Sequence, residues 1–75
     1  MVGKPTPCFL DECVPLGFVH GSRRWRSLNG KRLYTWDDLH GEIEVFTRRG
    51  IHVGAADPVT GIVFKPPVKG RTIDV

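Results

Sequence analysis

The stretch 34–46, YTWDDLHGEIEVF, decides how this chain folds. Read as a helix, it sets His40 and Glu44 four residues apart on one face. Read as strand, turn and strand, it breaks at the DDLHG segment and resumes at Glu42. Gly41 and the β-branched and aromatic content favour the second reading. In EIEVFT, Glu42 and Glu44 then share one face, and Ile43 and Val45 share the other. His40 joins the two glutamates, and Asp37 closes the turn beside it.

Working outward, the same pattern continues in both directions. KRLYTWD, ending at Asp37, is rich in residues that fit a pleated surface. RRG at 48–50 is a turn signal, IHVGAAD a further strand, and DPVTG at 57–61 a turn with proline well placed. IVFK is another strand, ended by Pro66 and Pro67, and GRTIDV suits a short last one. The expected fold class is mainly β, an α+β arrangement in which an antiparallel meander follows a short N-terminal helical or irregular segment. Pro5, Pro7 and Pro15 forbid a long helix in residues 1–22, which leaves room for a helical turn around Leu10–Cys13.

With 75 residues the chain is read as one domain. Its net charge is +3. Residues 1–22 hold one lysine and two acids, a charge of −1. Residues 23–75 hold ten Lys or Arg and six Asp or Glu, a charge of +4. The division expected is an N-terminal extension, 1–22, and a functional domain, 23–75. A basic domain favours an anionic partner such as nucleic acid or an acidic protein. No stretch approaches a membrane span. Cys8 and Cys13 lack a second ligand pair, so a structural zinc site is not expected. Both are read as free thiols, with Cys13 packed in the core.

A carboxylate beside a histidine holds its tautomer, and a second carboxylate on the same face serves as a base. Asp37, His40 and Glu44 supply that minimum, with Lys65, Lys69 and Arg71 as cations for an anionic transition state. Two plainer readings stand beside it. An alternating charged strand is often only the solvated face of a sheet. His40 with carboxylates can also bind a divalent metal, although no standard metal-ligand spacing is matched. RRWR at 23–26 mixes Arg23, Arg24 and Arg26 with an indole, suited to stacking a base and gripping phosphate, or simply to a solvated basic run. Trp36 serves equally as core or as a contact for substrate. His52 lies in an apolar strand and reads as a packed residue.

The run RRWRSLNGKRLYTWDDLHGEIEVF, followed by IHVGAADPVTG and KPPVKGRTI, resembles the cytotoxic ribosomal ribonuclease domain of the colicin and cloacin bacteriocins. The resemblance extends from Arg23 to Ile73. Its most specific piece is Y-x-W-D-x-x-H-G-E-x-E. It implies a strongly twisted antiparallel sheet and a single cut in the decoding site of small-subunit ribosomal RNA. By this resemblance the catalytic residues fall on Asp37, His40, Glu44 and Arg71, with Lys65 in support and Tyr34 positioning the nucleotide. Neither metal nor cofactor is expected. The partners implied are the ribosome and a small acidic immunity protein or antitoxin, with a monomeric free protein acting in the cytoplasm, either stand-alone or as a fragment of a delivered toxin. The alternative is a basic module that docks on RNA without cutting it. Residues 1–22 and the ending TIDV do not resemble the family.

Overall fold

Six short strands follow one another in the computed structural model, which describes residues 1–75. They are β1 (Val14–Val19), β2 (Ser22–Arg26), β3 (Arg32–Asp37), β4 (Glu42–Thr47), β5 (His52–Ala56) and β6 (Val63–Lys65). All neighbours are antiparallel and the sheet order is the chain order, a pure meander. The only helical element is a 3-10 turn, Phe9–Glu12, where a short helical turn was expected. No helix is long and apolar enough to cross a membrane.

The central pair, β3 and β4, is strand, turn and strand, so the helical reading of 34–46 does not hold. The β1–β2 hairpin exceeds the expectation of an irregular lead-in. Its turn is His20–Gly21, with φ of 51° and 86°. Two successive positive φ values match the twist of paired strands, which is why such turns close hairpins. At the DPVTG turn, Asp57 Oδ1 accepts the Val59 and Thr60 amides at 2.8 and 2.9 Å. Those amide bonds, Thr60 first, hold the Asp57 carboxyl below its usual value. The last expected strand is reduced to one bridge, Ile51 to Thr72.

Alternation divides the sheet into two faces. Trp25 pairs with Tyr34, Tyr34 with Val45, and Ile43 with Ala56. These residues form the core, closed by Leu10 and Cys8 from the N-terminal segment. Ile43 and Val45 are fully buried there. Cys8, rather than Cys13, is the thiol inside; Cys13 packs on the core's margin, and both are free. Residues 1–22 therefore supply the first strand and the cover of the apolar face.

Candidate active site

The opposite face of β3 and β4 carries Asp37, Glu42 and Glu44. Thr35 opposes Glu44 and Asp37 opposes Glu42, in register. Asp37 ends β3 and organises the turn after it. Its Oδ1 accepts the Leu39 and His40 amides at 3.0 and 3.1 Å, and its Oδ2 lies 2.8 Å from His40 Nδ1. Burial alone raises the Asp37 pKa, but the His40 ring and the two amides outweigh it, and the carboxyl titrates below its ordinary 3.8. His40 thus donates from Nδ1 to Asp37. Its side chain is 57% exposed and lines an open cavity, which leaves Nε2 without a protein partner.

Glu44 has two partners. Arg71 donates to Oε1 at 3.2 Å, and His52 Nε2 lies 2.6 Å from Oε2. The Val68 amide donates to His52 Nδ1 at 2.8 Å. That bond leaves the lone pair on Nδ1 and the proton on Nε2, so His52 donates to Glu44. The His52 ring is 2% exposed, and each Glu44 oxygen has one donor. The carboxylate is aimed and keeps free lone pairs for an incoming hydroxyl.

His52 escaped the sequence reading because strict alternation sets it with Gly54 and Ala56 on the apolar face. A bulge in the β4–β5 pair changes this: Val45 opposes Gly54, but Phe46 opposes His52. One extra residue turns His52 to the Glu44 face. The available signal was the turn at 48–50, which brings His52 across from the end of β4.

Lys65 arrives from β6. It opposes Ala55, which opposes Glu44, and its ammonium pairs with Glu42. Gly54 allows the close crossing. Its φ is 152°, and a Cβ there would collide with the Lys65 carbonyl oxygen. Arg71 is brought in by the C-terminal segment, whose carbonyl at Arg71 accepts the His52 amide at 3.0 Å.

One open cavity of about 260 Å³ gathers Asp37, His40, Glu42, Glu44, His52, Lys65 and Arg71 at its wall. Five of these seven were the catalytic candidates of the sequence; Glu42, expected only to share their face, and His52, expected only to pack, complete the set. The remaining candidates lie elsewhere. Tyr34 is buried in the core, its ring edge-on to Phe9 at 5.6 Å. Burial, the largest effect, raises its phenol pKa. Tyr34 and Trp36 alternate with Asp37 and so belong to the apolar face; the Trp36 indole donates to the Val2 carbonyl at 3.0 Å. Arg23 is stacked over Trp25 at 4.9 Å. Arg24 is 5% exposed with Nε unpartnered, Arg26 is half-buried, and Lys69 is exposed outside the cavity wall. No three His, Cys, Asp or Glu side chains converge as a metal-binding group.

Colicin E3 of Escherichia coli is 40% identical over 52 residues, covering 68% of this chain and 9% of colicin E3. Colicin-E6 and cloacin, also of Escherichia coli, are 39% and 41% identical over 51 residues, each covering 67% of this chain. The chain spans only 9% of the length of these relatives. The family model described as Cytotoxic matches residues 18–74, from the end of β1 to the C-terminal segment that carries Arg71, and the chain belongs to that family.

Proposed function

We propose that this domain is a toxin ribonuclease that cuts small-subunit ribosomal RNA at the decoding site and so stops translation. One observation carries the reading: a base candidate, an acid candidate and two cations meet on a single open cavity. A solvated strand face has no reason to converge its charges this way. Colicin and cloacin relatives add weight.

In the chemistry we propose, Glu44 takes the proton of a ribose 2′-hydroxyl. The freed oxygen attacks the adjacent phosphorus. His40 Nε2 gives its proton to the departing 5′-oxygen as the P–O5′ bond breaks, leaving a 2′,3′-cyclic phosphate and a 5′-hydroxyl. Asp37 holds His40 Nδ1 and stabilises the imidazolium before transfer. Arg71 and Lys65 face the phosphorane charge. His52 keeps Glu44 in place. Every carboxylate of the cavity already has a cationic or imidazole partner, which supports a scheme without a metal ion.

The basic charge of residues 23–75 supports the ribosome as target in the cytoplasm and a small acidic immunity protein or antitoxin as the protecting partner. The test is cleavage of intact ribosomes in EDTA by the native chain and by His40→Ala. A single 3′ fragment of small-subunit RNA from the native chain alone is the expected result. Intact RNA on ribosomes that still bind the protein would replace the enzyme with a docking module. Cleavage lost in EDTA and restored by a divalent cation would overturn the metal-free scheme alone.

A further inference from the structure

Residues 1–4 lie outside the Cytotoxic match, yet Val2 among them touches the turn that holds Asp37 and His40. The Val2 amide donates to the Asp38 carbonyl at 2.6 Å, and the Val2 carbonyl accepts the Trp36 indole N–H at 3.0 Å. The Val2 side chain lies against Gly41, so close that a Cβ on Gly41 would meet Val2 Cγ1 at 3.0 Å. Further along, Lys4 pairs with Asp11 at 3.3 Å, which ties this segment to the 3-10 turn. A cavity of about 300 Å³ remains between the segment and Arg23, Trp25 and Trp36.

The turn has little else to hold it. Asp38, Leu39 and His40 are exposed. The Leu39 and His40 amides and the His40 ring all bond to Asp37, within the turn itself. Among the hydrogen bonds of residues 38–40, the one from Val2 to Asp38 is the bond that leaves the turn. A short exposed turn with internal bonds alone samples several arrangements. General acid catalysis needs one of them.

We propose that residues 1–3 are a brace that positions the catalytic turn from behind, with Val2 as the positioning residue and the Trp36 indole as its anchor. The proposal rests on the reading that Asp37 and His40 do the chemistry. It assigns the N-terminal segment a role in the rate, beyond covering the core.

The test uses the full chain carrying Val2→Pro, which removes the donor to Asp38, Trp36→Phe, which removes the anchor, both together, and the conservative Val2→Ile. The cleavage rate at saturating ribosomes falls about tenfold in Val2→Pro, with KM within about twofold. Amide exchange at Leu39 and His40 quickens about tenfold, while Ile43 and Val45 in β4 keep native protection. Trp36→Phe lowers the rate in the same way, the double variant is no slower than the worse single, and Val2→Ile matches the native chain.

Three results would overturn the brace. One is native rates and native exchange at Leu39 and His40 in Val2→Pro. Another is equal loss of protection in β4, which would make the segment a stability element only. The third is a Trp36→Phe defect confined to KM, which would make the indole a substrate contact. If the native chain cuts no RNA, the ribonuclease reading falls, and the exchange arm still decides the brace.

Discussion

Strands β3 and β4 present two faces made from alternate residues of the same peptide, and the two obey different rules. On one face Tyr34, Ile43 and Val45 are buried among apolar neighbours and make no ion pair. On the other, one residue along, Asp37, Glu42 and Glu44 each hold a charged or imidazole partner beside open solvent. The apolar face gains from area removed from water, which is insensitive to exact position. The polar face depends on directed bonds a few tenths of an ångström wide. Substitutions on the first should therefore cost stability and spare chemistry, and substitutions on the second should do the reverse.

Glu44→Gln and His40→Ala test that division most severely. Each should lower ribosomal RNA cleavage by about 10²–10⁴-fold, with a melting curve close to native. Gel analysis beside thermal unfolding reads both. A Glu44→Gln chain that kept its full rate would remove Glu44 as base.

Leu10→Ala and Ile43→Ala are the mirror case. Both side chains are fully buried, so each should lose about 2–5 kcal/mol in urea unfolding while the folded fraction cuts at the native rate.

His52→Ala should blur the line between the faces. It strips Glu44 of one donor and leaves the Val68 amide without an acceptor. We expect about 1–3 kcal/mol of lost stability together with slower cleavage. Loss of stability without loss of rate would reduce His52 to packing against Phe46, whose ring centroid is 5.2 Å away.

Asp37 gives the pH dependence. Its carboxyl titrates below 3.8 in the folded chain, so its stabilising contribution is fully present above 3.8 and fades as pH falls through the lowered folded value. The stability gap between native and Asp37→Asn should be present above about pH 4 and close as pH falls below it. A gap that failed to close in strong acid would contradict the hydrogen bonds from His40 and Leu39.

Arg23→Ala should do least. The exposed cation over Trp25 is worth about 0.5–1 kcal/mol, and its loss should leave the cleavage rate at saturation unchanged.

Much of this architecture was legible in the residues themselves. The alternation of EIEVFT, the DPVTG turn and the breaks at Gly41 and Pro66 specify strands and turns because period and turn chemistry are local properties. The same local logic put Asp37 against His40, three residues apart in one turn. It also put Glu44 on the polar face. The β1–β2 hairpin was less legible: three prolines and a His–Gly turn read as irregular until the positive φ of His20 is seen.

Other placements depended on register. Whether His52 faces the core or Glu44 turns on one extra residue in β5, and no pattern of apolar residues reveals a bulge. Tyr34 shows the converse. Its motif suggested a hand on the substrate, and the strict alternation of β3 carried it into the core. The sequence by itself determined strands β3 to β6, the turns between them and the Asp37–His40 pair, since each is written within a few consecutive residues. Only the tertiary structure decided that His52, Lys65 and Arg71 meet Glu42 and Glu44, and that Val2 reaches the turn between Asp37 and His40. Those contacts join residues far apart in the chain, and it is packing and strand register that bring them within a hydrogen bond of each other.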